Sequence, residues 1–382
     1  MRASTALING RVLIDGQLAS GCAVIVEGAR IRAIVSEDDP AVRLATPHDL
    51  GGQLLLPGFN DIQVNGGGGV LFNDEPTVDG IRAIGAAHRR FGTTGFLPTL
   101  ISDSLDVVER AMRAVEDAIA QHVPGVLGIH LEGPFINPVR KGAHDPSKLR
   151  RLESEHLPLL TSLSRGVTHV TVAPEMTSPD TLRALVAAGV IVSAGHTDAT
   201  YGVMQHAFDA GVSGVTHLFN AMSPLTSRAP GVVGAALDDA RCRAGIIVDG
   251  KHVDVATLRV ALRTKPRDRF MLVTDAMPPV GAESSTFRLQ GREVRVEDGV
   301  CVDANGTLSG AAIDMASTVR QAIDGLGVSL ADAVRMASEY PADFIGLGGE
   351  LGRIAPGYRA NFVVADDDVR VTATWIDGNR SE

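Results

Sequence analysis

From Leu54 onward, short apolar runs alternate with segments of helical period, and the runs repeatedly stop at a residue able to bind a metal. Val190–Ile191–Val192–Ser193–Ala194 leads into Gly195–His196–Thr197–Asp198. In the same way Gly214–Val215–Thr216 leads to His217, Ile129–His130–Leu131 to Glu132, and Leu272–Val273–Thr274 to Asp275. A strand that delivers such a side chain at its carboxyl end, just before a helix, aims it into the mouth of an α/β barrel. One such histidine is more simply a hydrogen-bonded core residue than a ligand. Four strand ends presenting His, His, Glu and Asp form the residue set of a metal hydrolase.

The apolar runs number eight: 58–64, 94–100, 126–132, 169–173, 190–196, 214–217, 244–248 and 270–275. Helix-period segments at 78–91, 105–121, 181–188 and 199–210 lie between them, with start signals at Ser102/Asp103, Ser178-Pro179-Asp180 and Asp198. Six of the eight runs end at or near a polar residue: Asn65, Glu132, Glu175, His196, His217 and Asp275. That pattern fits a (β/α)₈ TIM-type barrel, with its site at the carboxyl ends of the strands. A doubly wound sheet would concentrate ligand contacts at one switch point instead, and Gly66–Gly67–Gly68–Gly69 lacks the spacing of a dinucleotide fingerprint.

Before and after this middle the pattern changes. Runs at 6–8, 12–14, 22–27 and 31–35, with Asn9-Gly10 and Asp15-Gly16 as turns, read as strands, as do 361–365 and 371–376 with Asp377-Gly378. Residues 1–56 and 351–382 are therefore expected to pair as a small β-sandwich domain beside a barrel of 57–350. A hairpin insertion near 283–309, turning at Asp298-Gly299 and Asn305-Gly306, would lie on the site face, where it acts as a flap or is a plain surface hairpin. Helices at 313–323 and 330–337 would close the barrel.

A formal net charge of −10 argues against a nucleic-acid or anionic-membrane partner. No apolar run approaches the ~18 residues needed to span a bilayer, and no signal-peptide pattern opens the chain. Cys22, Cys242 and Cys301 are odd in number and widely spaced, so a reduced, cytoplasmic protein is expected.

Two neutral imidazoles and one carboxylate suit Zn²⁺ or a similar divalent ion with a position left open for water. Glu132, His196 and His217 are the expected ligands. Such an ion brings the pKa of its water to about 7, and Asp275 beside it could take the proton and return it to the leaving group. His130, two residues before Glu132, faces the same side of its strand and reads as a supporting residue.

The blocks Pro57–Gly58–Phe59–Asn60–Asp61–Ile62–Gln63–Val64–Asn65, His130–Leu131–Glu132–Gly133–Pro134–Phe135, Lys141–Gly142–Ala143–His144, His217–Leu218–Phe219–Asn220–Ala221–Met222 and Asp249–Gly250–Lys251–His252 carry a resemblance. The chain resembles the amidohydrolase superfamily and, within it, the N-acetylglucosamine-6-phosphate deacetylase family. The resemblance implies metal-dependent hydrolysis of the acetamide of N-acetyl-D-glucosamine 6-phosphate, in amino sugar catabolism. By position it makes Asp275 the acid/base and His144 the group that polarises the acetyl carbonyl. Ala143, Asn220, Ala221, Asp249, Leu308, Ser309 and Gly310 would contact the sugar, and Arg228 and His252 would hold the phosphate. It further implies a homodimer in which Arg228 reaches the neighbouring active site. Gln63 and Asn65 stand where most of the superfamily carries an HxH pair, and no lysine lies between Lys148 and Lys251. One divalent ion per subunit is therefore expected: Zn²⁺, with Fe²⁺, Co²⁺, Mn²⁺ or Cd²⁺ compatible with the same donors. Two other readings are another mononuclear amidohydrolase, such as an N-acyl-amino-acid deacylase, and a catalytically silent barrel kept as a scaffold. The first predicts a pocket without phosphate ligands, the second the loss of metal ligands.

Overall fold

A computed structural model describes residues 4–381. All eight apolar runs form strands of one parallel sheet: β1 (Phe59–Val64), β2 (Thr93–Ile101), β3 (Gly128–Glu132), β4 (Val167–Val172), β5 (Ile191–Ala194), β6 (Gly214–Val215), β7 (Arg243–Ile246) and β8 (Phe270–Leu272). Each pairs with its neighbour in sequence order, from β1 to β8. The ring closes just beyond the strands, where Val64 bridges Ala276 and the amides of Asn65 and Gly66 both donate to the Ala276 carbonyl at 2.9 Å. Below that bridge the buried Asp61 carboxylate accepts from the Thr274 hydroxyl at 2.5 Å. The barrel is thus held shut by side chains as much as by ladder.

Helices Val78–Arg89, Leu105–Ala120, Pro179–Ala187 and Tyr201–Asp209 lie on the outside at the expected places, and their apolar stripes bury against the strands. Two start signals need correcting. The 105–120 helix is capped by Ser104, which accepts from the Val107 amide, and the 201–209 helix by Thr200. Ser102 and Asp198 are thereby free for other partners. Ser178 caps as expected. Further helices at Gly231–Asp238, Val255–Ala261 and Glu339–Phe344 complete the outer layer with Met315–Gln321 and Leu330–Ala337.

The two ends of the chain do pair. Leu54–Pro57 runs antiparallel to Phe362–Ala365 within a six-stranded sheet, and Ser4–Ile8, Cys22–Glu27, Arg30–Ser36 and Thr46–Asp49 make a four-stranded one. Leu7, Val24 and Ile31 of one sheet share a core with Leu55, Phe362 and Trp375 of the other, which is the packing of a sandwich. The insertion after β8 is a four-stranded antiparallel sheet, Thr286–Leu289, Arg292–Glu297, Val300–Asp303 and Leu308–Ala311. Its Leu289, Val294 and Cys301 pack on Leu71, Ile101 and Met277 at the barrel mouth. All three cysteines are free thiols, and no helix among the described residues is long and apolar enough to cross a membrane.

Candidate metal centre and active site

The barrel mouth opens into a cavity of about 430 Å³. Glu132 ends β3, His196 follows β5, His217 follows β6 and Asp275 follows β8. His196, His217 and Asp275 have left-handed backbones, with φ of 47°, 33° and 51°. Non-glycine residues hold that conformation at a cost of about 1 kcal/mol or more each, and here it accompanies side chains turned inward from the point where the chain leaves the sheet.

Glu132 Oε1 lies 3.0 Å from His196 Nε2 and 2.8 Å from His217 Nε2, and the two nitrogens are 3.0 Å apart. The ligand atoms of these three residues all lie within 4.8 Å of one another. His196 Nδ1 is 2.9 Å from the Arg140 carbonyl, so the ring donates there and turns a bare Nε2 to the cluster. Acceptors brought this close, with too few protons between them, fit a divalent cation. Burial alone would raise Glu132, but the two imidazoles hold it well below the usual carboxylate range.

Neutral amides occupy the neighbouring positions. Gln63 Nε2 donates to Glu132 Oε2 at 3.2 Å and to Asp275 Oδ1 at 3.0 Å, and Asn65 Nδ2 donates to the same Oδ1 at 2.7 Å. Gln63 therefore leaves Glu132 Oε1 to the imidazoles, and Asp275 keeps Oδ2 unengaged. Burial, together with the charge of Glu132, pushes Asp275 up to about 6. His144 sits beside His196, ring centroids 4.4 Å apart. Its Nδ1 accepts from the Ser102 amide at 3.3 Å and lies 2.7 Å from the Ser102 hydroxyl, which assigns the proton to Nε2. Burial, reinforced by His196, holds its pKa well below the usual value, so the ring is a neutral donor.

Ala143, Asn220, Ala221, His252, Leu308, Ser309 and Gly310 line the cavity with Glu132, His196, His217, His144 and Asp275. Gly310 lies where the insertion's last strand meets the barrel: a Cβ there would come within 2.6 Å of Met277 and 2.9 Å of the Asp275 carbonyl. Asp249 stands behind the wall. It accepts from the amides of Lys251 and His252 at 2.9 Å and grips His252 Nδ1 at 2.5 Å, fixing that ring from the rear. Arg228 does not line the cavity of its own chain; it is exposed on the loop between Met222 and the Gly231–Asp238 helix.

The contacts of some supporting residues escape a reading of the sequence. β2 runs to Ile101, one residue past its expected end, so Ser102 is a strand-end residue like the others. Glu175, at the end of the fourth run, binds the Thr197 hydroxyl, the Asp198 amide and the Asn137 side chain, joining the loops on either side of His196. Arg292 donates to the Ala143 carbonyl and Gln290 to the Ser102 carbonyl at 2.7 Å, so the insertion clasps the segments that carry and orient His144. Nothing short-range in the sequence marks these two.

Comparison with known proteins follows the same lines. Residues 54–380 match the model of the amidohydrolase family. The chain is 42% identical to the N-acetylgalactosamine-6-phosphate deacetylase of Shewanella sp. (strain ANA-3), over 96% of this chain and 93% of that one. It superposes on N-acetylglucosamine-6-phosphate deacetylase from Pasteurella multocida with a TM-score of 0.95 and 37% identity, covering 99% of both chains. A mutant of the deacetylase from Mycobacterium smegmatis, solved in complex with N-acetyl-D-glucosamine-6-phosphate, superposes with a TM-score of 0.90 at 32% identity, over 99% of this chain and 98% of that one. The chain belongs to the amidohydrolase family.

Proposed function

We propose that this protein hydrolyses the acetamide of N-acetyl-D-glucosamine 6-phosphate, giving D-glucosamine 6-phosphate and acetate. One observation carries the reading: Glu132, His196, His217, Asp275 and His144 converge on one cavity, in a chain that matches over nearly its whole length an enzyme solved with that sugar phosphate. Glu132, His196 and His217 would hold one divalent ion, Zn²⁺ being the leading candidate and Fe²⁺, Co²⁺, Mn²⁺ and Cd²⁺ the others. When bound, the ion supplies Lewis acidity, polarising a carbonyl and acidifying water.

Asp275 Oδ2 takes a proton from the attacking water as the carbon–oxygen bond forms. It then returns that proton to the amine nitrogen as the carbon–nitrogen bond breaks. His144 Nε2–H donates to the acetyl oxygen where negative charge develops. Ala143, Asn220, Ala221 and 308–310 enclose the sugar, and His252, braced by Asp249, points toward the phosphate. Arg228, exposed and unpartnered among the described residues, completes the phosphate site from a second copy in a homodimer; its planar fork suits that anion. In this reading 57–350 is the catalytic barrel, 1–56 with 351–382 is the flanking β unit, and the enzyme works in the cytoplasm.

The 42% identity to an N-acetylgalactosamine-6-phosphate deacetylase makes the C4 epimer a second substrate to test. Acetate release should be measured on metal-reconstituted protein with both phosphorylated epimers and with unphosphorylated N-acetylglucosamine. A preference of about 100-fold or more for a phosphorylated sugar is expected, in line with loss of charge-assisted contacts. Activity on none of them overturns the reading. Arg228→Ala should raise KM for the phosphorylated sugar about tenfold with little change in kcat; an unchanged KM relocates the phosphate.

A further inference from the structure

Directly beneath the ligand layer, the barrel interior is polar where bulky aliphatic side chains ordinarily fill such a barrel. Thr99 of β2, His130 of β3, His169 and Thr171 of β4, Ser193 of β5 and Thr216 just after β6 are all buried there. Thr99 Oγ1 accepts from the Val64 amide at 2.9 Å and lies 3.1 Å from His130 Nδ1. His130 Nε2 lies 2.7 Å from Thr171 Oγ1, and Thr171 Oγ1 lies 2.6 Å from Thr216 Oγ1. The His169 ring stacks on His130, centroids 4.3 Å apart and planes 15° from parallel, and reaches Ser193 Oγ at 2.8 Å.

One proton order pairs every donor along this chain of groups. Thr216 donates to Thr171, Thr171 to His130 Nε2, His130 Nδ1–H to Thr99, and the Thr99 hydroxyl to the Leu97 carbonyl at 3.3 Å. His169 stands beside this chain and not in it, its Nδ1 buried without a partner among the described residues. The four-residue chain itself is satisfied throughout, and such a chain is stiff, specifies one arrangement and is costly to break.

The placement of the network gives it a purpose. His130 stands two residues before Glu132 on the same face of β3, and Thr216 immediately precedes His217. β6 is only two residues long, with two ladder pairs to each neighbour, and beyond it the backbone is held only to those same neighbours, by the Thr216 amide on the Ala194 carbonyl at 3.0 Å and the Leu218 amide on the Gly245 carbonyl at 2.8 Å. The Thr171–Thr216 contact supplies what the ladder lacks: it joins β4 to β6, past the intervening β5. It passes over Gly195, where a Cβ would come within 2.6 Å of Thr171 Cγ2 and 3.1 Å of Thr216 Cβ.

We propose that His130 and Thr171 are positioning residues for the metal centre, a neutral strut through the barrel that sets Glu132 on β3 against His217 after β6. The proposal rests on the metal-dependent reading of the site. It is tested by the Zn²⁺ dissociation constant, from competition with a chromogenic chelator, alongside kcat and KM. His130→Leu removes both bonds of the ring, Thr171→Val removes one hydroxyl at nearly constant volume, and His130→Gln can still accept at one end and donate at the other.

His130→Leu and Thr171→Val should weaken Zn²⁺ binding by about 10- to 100-fold, the range for groups that orient metal ligands. At saturating metal kcat should fall while KM stays within about twofold, and His130→Gln should recover most of the affinity. If His130→Leu does not fold, Thr171→Val decides. Wild-type affinity in the folded variants, or a loss of thermal stability alone, overturns the proposal. A wild-type protein that binds Zn²⁺ but cleaves none of the sugar phosphates sinks the deacetylase reading instead, and the affinity comparison still judges the strut.

Discussion

Asp275 shows how much of this site is settled by neighbours that do no chemistry themselves. Its Oδ1 accepts from both Gln63 and Asn65, which leaves Oδ2 as the oxygen open to the cavity for the proposed proton transfer. Asp275→Asn keeps the shape of the side chain but cannot take a proton. It should leave metal content unchanged and lower kcat by about 100- to 10,000-fold, the span ordinarily lost with a general acid–base group. Metal analysis beside steady-state kinetics checks both halves, and normal turnover would remove Asp275 from the mechanism. At this scale the sequence is most legible where a side chain sits at a strand end, because the barrel gives that position a meaning before any coordinates exist. Glu132, His196, His217 and Asp275 are readable for that reason. Ser102 is not, because it also resembles a helix cap and β2 runs one residue further than its apolar run suggests. Asp249 belongs to the expected block but makes a different contact: its carboxylate faces His252 and backbone amides rather than the cavity.

The insertion after β8 is the element whose role changes most between sequence and structure. Asp298-Gly299 turns as expected, with φ of 49° and 86° at the two residues. A second turn of the same kind, Gln290-Gly291 with φ of 50° and 81°, has no Asn or Asp to announce it. That turn places Gln290 and Arg292 against the carbonyls of Ser102 and Ala143, contacts between residues more than a hundred apart that no local pattern encodes. The element therefore does more than cover the cavity: it braces the segment ending in His144. Arg292 is also paired with Asp303, 3.4 Å away within the insertion. Arg292→Ala should loosen the Ala143–His144 segment and lower kcat/KM about tenfold, the cost of roughly one charge-assisted hydrogen bond, with metal content unchanged. Steady-state kinetics decides, and unaltered kcat/KM would reduce the insertion to a passive cover.

At the scale of the molecule, eight alternating runs suffice to predict a barrel, but the closure is not legible, since no periodicity tells how the first strand meets the last. The seam is made by Asp61, fully buried, with its Oδ1 near the amides of Gln63 at 3.2 Å and Thr274 at 3.4 Å and its Oδ2 on the Thr274 hydroxyl. Burial raises the Asp61 pKa to about 7, against those hydrogen bonds, which favour the ionised form. In the unfolded chain the carboxyl titrates near 3.8. Between these values the folded state binds the proton more tightly, so stability falls as pH rises from about 4 to about 7, by on the order of 4 kcal/mol when complete. An asparagine side chain at this position would carry no charge to bury. Its oxygen could accept both amides, and its NH₂ could donate to Thr274 Oγ1, whose hydroxyl would turn to the Gln63 carbonyl 3.5 Å away. Asp61→Asn should therefore match the wild type in Tm near pH 4 and exceed it progressively up to pH 8, at equal metal loading. Tm measured against pH for the two proteins checks this, the difference cancelling the contributions of every other titrating group. A gap that stays constant across that range would mean that Asp61 is ionised in the folded as in the unfolded chain, its buried charge carried by the hydrogen bonds from Gln63 and Thr274.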